Sequence, residues 1–467
     1  MRRIFKAVLA GSLALGFSTA ASSESLTDAL ISAYQESHLL DQNQAVLRAA
    51  DEGVAQAIGA LRPVFDYTTS ANFSRSKIGS FLTPGTALGN ISQSQTFQLS
   101  ATMTLYDFGR SPLSIEMARE NVLATRQLLT GVEQDVLLEA VGAYVDVRLQ
   151  SETLALRQSN VRLIAKELRA AKDRFDVGEA TRTDVALAEA ALASSQAAEQ
   201  AAQGALDLAR ERYKSAIGHY PGNLAALPKV PGLPKSLEEA RAIALTKHPA
   251  ALQVQHQVRI TDLQVDMAKA NFRPVLTGRA SLNENWIDGQ ESFFNPDTET
   301  LSLQLNQTIY AGGQKASFLR QAIANQEGAR AAMHQTGVIV QENVGRAWSN
   351  ISVATASIQS GDKQVRAAQA AYNGVKEEAD LGARTTLDVL NAEQDLLDAR
   401  FARLQADANF YVGIYQLLAT MGLLTVDHLS LGIPTYDVEG YYNAVKKGPA
   451  HSAQGAALDR ILKTIGN

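Results

Sequence analysis

Two rhythms of apolar and polar residues run along the 467-residue chain, and each occurs twice. In the first, character changes at every residue. Phe65, Tyr67, Ala71 and Phe73 alternate with Asp66, Thr68, Ser70, Asn72 and Ser74, and Leu99, Ala101, Met103 and Leu105 alternate with Gln98, Ser100, Thr102 and Thr104. Successive side chains of a strand point to opposite faces, so the pattern predicts two amphipathic strands, over about 63–76 and 94–107. The alternation returns in Leu276, Ala280, Leu282 and Trp286 and in Leu301, Leu303, Leu305 and Ile309, predicting strands over about 274–288 and 298–310. Segments 76–93 and 289–297, rich in Gly, Ser, Asn and Pro, read as the loops within each pair.

The second rhythm has a period of seven. Ala140, Val147, Leu154, Val161, Leu168 and Phe175 form one series, and Val344, Ile351, Ile358, Val365, Tyr372 and Ala379 form another. A sustained seven-residue repeat lays one seam of a helix against a partner, as in a coiled coil. From Pro112 to Phe175 no proline interrupts, and such a helix spans roughly 96 Å. Gly178 and Gly382 break the two series, and helical patterns then resume over a shorter return arm, so hairpins are expected over 112–218 and 314–422. The first return arm is expected to be completed end to end by 237–272, and the second by 26–61. Each glycine turn then becomes the far tip of a hairpin roughly 100 Å from the strands.

Both rhythms belong to one duplication. Arg62-Pro63-Val64 matches Arg273-Pro274-Val275, and further on Tyr106 pairs with Tyr310, Gly109 with Gly313, Gly178 with Gly382, Asp184 with Asp388 and Gly218 with Gly422. These last five pairs are all 204 residues apart. The chain divides into repeat 1 over 24–236, with a linker at 219–236, repeat 2 over 237–430, and a tail over 431–467.

Residues 1–23 have the layout of a secretory signal peptide: Arg2, Arg3 and Lys6, an apolar run from Ala7 to Phe17, then small residues, with cleavage expected at about 20–23. Later in the chain no run of about 18 apolar residues exists, so a membrane part has to be a β-barrel. Losing residues 1–20 removes three positive charges and no negative ones, which takes the net charge from −5 to −8 and argues against a nucleic-acid partner. With no cysteine, there is neither a disulfide nor a lipid-modified thiol. Four strands cannot close a barrel, so the chain has to oligomerise; two chains supply eight strands and three supply twelve, and small polar inward residues favour twelve, wide enough to hold water.

The duplicated strand pairs flanked by long helices, the "YDFG" and "YAGG" strand-to-helix turns at Tyr106 and Tyr310, and the hairpin tips at Gly178 and Gly382 together resemble the TolC family of trimeric outer-membrane channel-tunnels. The resemblance covers about Leu26 to Leu429. It implies an α+β membrane protein, internally duplicated, whose four strands per chain contribute to a 12-stranded trimeric barrel in outer-membrane lipid, with long helices forming a periplasmic coiled-coil α-barrel. It implies an exit duct serving a periplasmic adaptor (membrane fusion) protein and an inner-membrane ABC or RND transporter. The tail is similar to that of members serving type I protein secretion, which makes secretion the expected role and multidrug efflux the alternative. A soluble periplasmic coiled-coil adaptor is the alternative of a different class, but would lack lipid-facing strands.

No chemistry competes with this. "DFG" at Asp107 lacks every other kinase motif, the seven histidines show no metal-ligand spacing, and His248 and His256 read as helix-surface residues. No catalytic residue, metal site or cofactor is expected. The candidate residues sit at turns instead. Thr181 with Asp184, and Thr385 with Asp388, have the spacing of a capping box at the start of each return helix. The family resemblance adds a latch, with Arg384 facing Thr183 and Asp184 of a neighbouring chain, and a constriction at Asp388 and Asn391. Ala379 stands where the best-known family member has the tyrosine that completes its latch. The remaining candidates are the tip glycines Gly178 and Gly382 and the strand-to-helix turns at Tyr106, Gly109, Tyr310 and Gly313.

Overall fold

The computed structural model describes residues 23–79, 87–287, 297–446 and 460. The signal-peptide segment 1–22, most of the expected loop 289–297 and most of the tail beyond 446 lie outside the described residues. In chain order the elements are α1 (Leu26–Gln35), α2 (His38–Gly59), β1 (Val64–Gly79), β2 (Ala87–Tyr106), α3 (Arg110–Asp176), α4 (Arg182–Ile217), α5 (Leu237–Lys247), α6 (Pro249–Ala270), β3 (Val275–Ile287), β4 (Thr298–Asn306), α7 (Gln314–Asp380), α8 (Thr386–Thr420) and α9 (Gly440–Val445). The chain forms two compact units, and α3, α7 and α8 each contribute residues to both.

One unit contains the sheet, an antiparallel meander in the order β1-β2-β3-β4. Its register sets Phe65 opposite Ala101, Tyr67 opposite Leu99, Leu99 opposite Leu282, and Ala280 opposite Leu301. Residues paired across a ladder share a face, so the apolar residues of all four strands collect on one side and Asp66, Thr68, Ser100, Arg279 and Ser302 on the other. The apolar side is exposed, with Phe65 at 71% and Leu301 at 84% of full accessibility. Within the chain, β1 and β4 each leave one edge unpaired.

Three expectations need correcting here. The first strand pair runs into the segment expected as a loop, with β1 pairing to Gly79 and β2 from Ala87. By contrast, β4 stops at Asn306, short of Tyr310, because its partner β3 begins at Val275, just after Pro274, which has no N–H to offer. The segment 26–61 is not one helix, since Glu36 and Ser37 separate α1 from α2, and His248 separates α5 from α6.

In this unit the described part of the tail packs on α2 and α3. The Tyr441 hydroxyl donates to Glu52 at 2.9 Å, and Arg126 pairs with Glu439, donates to the Val438 carbonyl at 3.2 Å and stacks over the Tyr442 ring. Beneath them Asp51 is buried, which pushes its carboxyl up to about 6. The two histidines read as surface residues have structural work. His248 caps α6 by accepting from the Ala250 N–H at 3.2 Å, ahead of Pro249 at the first helical position, and His256 meets Glu120 at 2.8 Å.

The other unit holds the described residues up to Ser37 together with Leu137–Gly232 and Ile351–Ile414. Hydrogen bonds tie the two ends of the first repeat together within it. Glu24 pairs with Leu224 as an isolated parallel bridge, Tyr144 shares its hydroxyl between the Glu24 and Ala225 carbonyls, and Tyr213 donates to the Glu24 carboxylate at 2.6 Å. The end of α4 lies against α1, where Ser32 donates to the Ile217 carbonyl and Gly218 abuts Glu36. In the sheet-bearing unit the end of α8 abuts Lys247 and His248 in the same way. Each return arm therefore ends at the helix break of its own repeat, not of the other repeat as expected. At Gly422 the break lies so close that a Cβ would meet the Lys247 and His248 backbone, whereas at Gly218 it would meet only the Glu36 side chain.

Candidate functional site

The two hairpin tips are built alike. The Gly178 N–H donates to the Phe175 carbonyl at 2.9 Å and the Glu179 N–H to Arg174 at 2.8 Å, with Gly178 at φ +82°. Gly382 repeats this at φ +80°, with bonds from Gly382 to Ala379 and from Ala383 to Glu378. This left-handed closure satisfies the last helical carbonyls and needs glycine, which has no Cβ to clash. Three residues on, the return helix starts. Thr181 caps α4, with its N–H and hydroxyl donating to Asp184 Oδ2 at 2.9 and 2.7 Å while the Asp184 N–H donates back to Thr181 at 3.2 Å. Thr385 and Asp388 form the same box at the start of α8, at 3.0, 2.8 and 3.2 Å.

These bonds set the charge of the tip. The Thr181 hydroxyl and N–H hold the Asp184 carboxyl below its usual range, and the Thr385 N–H and hydroxyl do the same for Asp388. Both are ionised at neutral pH, each with Oδ1 outside the box. The tips differ in their basic residue. Copy 1 has Arg174 and Ala180 where copy 2 has Glu378 and Arg384, and Arg384 Nε donates to Glu378 Oε2 at 2.8 Å. Among the described residues, no hydrogen bond or ion pair joins Arg384 to Thr183 or Asp184 of its own chain. Thr183 and Asn391 are both exposed, Asn391 one turn along α8 from Asp388.

The strand-to-helix turns are a second set of matched corners. In the first, Phe108 at φ +55° and Gly109 at φ +99° reverse the chain, and Asp107 accepts from the N–H groups of Gly109 and Ser111. Tyr106 packs edge-on against Phe108, with ring centres 4.5 Å apart. In the second corner, Gly312 and Gly313 take the positive φ values, and Tyr310 is exposed. Arg110 donates to the carbonyls of Ala270 and Arg273, Arg273 donates to the Phe108 carbonyl at 3.1 Å, and Lys315 donates to Asn271 at 2.8 Å. Both corners are thus fastened to the junction of α6 and β3.

A third group was not anticipated. Thr153, Asn160 and Glu167 lie seven residues apart on α3 and are all buried, beside the apolar series Leu154, Val161 and Leu168. Asn160 donates to Glu393 of α8 at 2.6 Å, and Lys376 of α7 donates to Glu167 at 2.8 Å. A polar seven-residue stripe flanking an apolar one was the available signal. Polar residues in a coiled-coil seam fix which helices pair, and in what register, at some expense of stability.

This combination of an open antiparallel sheet with an exposed apolar face, duplicated 67-residue helices and glycine-closed tips is the fold of outer-membrane channel proteins. A crystal structure of CusC superposes with a TM-score of 0.75 at 18% identity, covering 86% of this chain and 92% of that one. The family model described as "Outer membrane efflux protein" matches residues 29–219 and 241–423. The outer membrane efflux protein BepC of Brucella suis biovar 1 (strain 1330) is 34% identical over 439 residues, 94% of each chain. The proteases secretion protein PrtF of Dickeya chrysanthemi is 26% identical over 385 residues, 77% of this chain and 81% of PrtF. The chain belongs to the outer membrane efflux protein family. It is an outer-membrane protein extending into the periplasm, and it works as a transport duct, not as an enzyme.

Proposed function

We propose that three copies of this chain close into one exit duct, a twelve-stranded barrel in outer-membrane lipid continued by a helical barrel. The observation that carries this reading is the sheet. Four strands with two free edges and one exposed apolar face need both partner strands and an apolar solvent, and lateral closure with two more copies supplies the first while lipid supplies the second. At the tips, Arg384 exchanges its own Glu378 for Thr183 and Asp184 of the neighbouring chain, which latches the duct shut. Three copies of Asp388 then ring the axis, with Asn391 one turn away. A periplasmic adaptor and an energised inner-membrane transporter, of the ABC or RND type, deliver the substrate.

For the substrate we put efflux of small toxic molecules first. The relative at 34% identity over 94% of both chains is named an efflux protein, whereas the secretion protein PrtF stands at 26% over 77%. Type I protein secretion is the second reading, favoured by PrtF and by the character of the tail. Deleting the gene separates them. Efflux predicts at least a fourfold fall in the inhibitory concentration of apolar antibiotics and bile salts, with the extracellular proteins unchanged. Loss of one secreted protein at unchanged drug resistance reverses the order.

A further inference from the structure

The second hairpin holds a carboxyl group in a setting that the first hairpin does not reproduce. Glu393 on α8 is 4% exposed; Asn160 of α3 donates to its Oε1, and its Oε2 is buried without a hydrogen bond. The ionisable groups facing it are Glu167 of α3 and Tyr372 and Lys376 of α7. Only one of these is a cation, and Lys376 is taken by Glu167, while its ammonium lies 5.9 Å from the centre of the Tyr372 ring.

The duplication provides an internal control. The positions 204 residues earlier hold Lys172 and Glu189, the same two residue types. There they pair directly at 2.8 Å across α3 and α4, and both are about half exposed. In the second copy the lysine turns to α3 instead and the glutamate is left in the interior beside a second carboxylate. One cation between two buried carboxylates leaves a surplus negative charge, which a proton on Glu393 removes.

We propose that Glu393 is a proton-operated tie between the α7–α8 hairpin and α3, packed while its carboxyl is protonated and loosened when it ionises. This rests on the duct reading, because the same hairpin carries Arg384 and Asp388 at its tip, so the tie regulates the aperture. Burial, only partly offset by the Asn160 amide, pushes the Glu393 carboxyl from its ordinary position near 4.5 up to about 7. Parting the hairpin from α3 returns the group to the lower value. The stabilisation of the packed form is therefore complete at pH below about 4.5 and is lost as pH rises through about 7. Between pH 5.5 and 8.5 the ratio of packed to parted hairpin falls roughly thirtyfold per chain.

Single-duct current in planar bilayers at fixed ionic strength, from pH 5.5 to 8.5, tests this. Wild-type current is expected to rise with a midpoint near 7. Glu393→Gln keeps the acceptor for Asn160 but cannot ionise, so its current should stay low throughout. Glu189→Gln, the exposed counterpart, should leave the wild-type profile intact. Glu167→Gln frees Lys376 for Glu393, recreating the pair of the first hairpin, and should move the midpoint to lower pH. A wild-type current that is flat across the range, or a midpoint that neither Glu393→Gln nor Glu167→Gln alters, overturns the tie. A wild-type preparation that forms no conducting pore would instead overturn the duct reading.

Discussion

Gly422→Ala is expected to be among the most damaging single substitutions in the chain, costing on the order of 3 to 5 kcal/mol. Gly422 ends α8 at φ +77°, where an L-residue costs about 1 to 2 kcal/mol. The larger part comes from a collision. A Cβ there would stand 2.5 Å from the Lys247 carbonyl oxygen and 2.7 Å from the His248 Cα, both of them backbone atoms at the α5–α6 break. Relieving the clash means displacing the His248 cap and Pro249, and with them the start of α6. Gly218 is the matched position in the first repeat, and its φ of +100° is equally unsuited to alanine. Its neighbours, however, are Cβ and Cγ of Glu36 at 3.0 Å, an exposed side chain that can shift by a few tenths of an ångström. Gly218→Ala should therefore cost about half as much. Loss of helical circular dichroism on heating in detergent ranks the two, and equal losses would contradict the argument from backbone contact.

The other large effect is expected at the tip. Asp388→Asn should abolish most block of the duct by multivalent cations, and Asn391→Asp should strengthen it. The capping box keeps Asp388 ionised while using only Oδ2, so in the proposed ring of three copies each Asp388 would still have one carboxylate oxygen to offer the axis. Rings of carboxylates draw cations into a pore. Asn391 lies exposed one turn along the same helix, so an acid there would double the ring charge to six. Arg384→Ala, which would remove the proposed latch, should raise conductance without abolishing cation preference. All three are read as current inhibition and reversal potential at fixed ionic strength. Unchanged block in Asp388→Asn and Asn391→Asp would confine Asp388 to its capping role.

How much of this was legible in the chain depended on whether the cause was local. Alternation of two in 65–74 and 97–105 reports directly which side chains share a face, and the register then joins them into one apolar side. The tip turns are local as well, because glycine followed three residues later by threonine and then aspartate specifies a left-handed closure and a capping box within a few residues. What escaped were choices between partners. Nothing in residues 237–272 says that they complete the second return arm, because that depends on which helix break lies close to Gly218 or Gly422. The end of β4 at Asn306 was set by Pro274, which sits on the neighbouring strand's side of the ladder. The buried stripe at Thr153, Asn160 and Glu167 is invisible to apolar periodicity, and Asn160 and Glu167 acquire meaning only with their partners Glu393 and Lys376 in place.

The central claim is that the open sheet of one chain is completed by two more. Native mass spectrometry of the mature protein purified in detergent, together with its strand content by circular dichroism, tests this most directly. Cross-linking of the same sample should stop at three chains, and the trimer should retain its strands. A monodisperse monomer with full strand content would contradict the account, because a four-stranded sheet would then be stable with both edges and its apolar face uncovered.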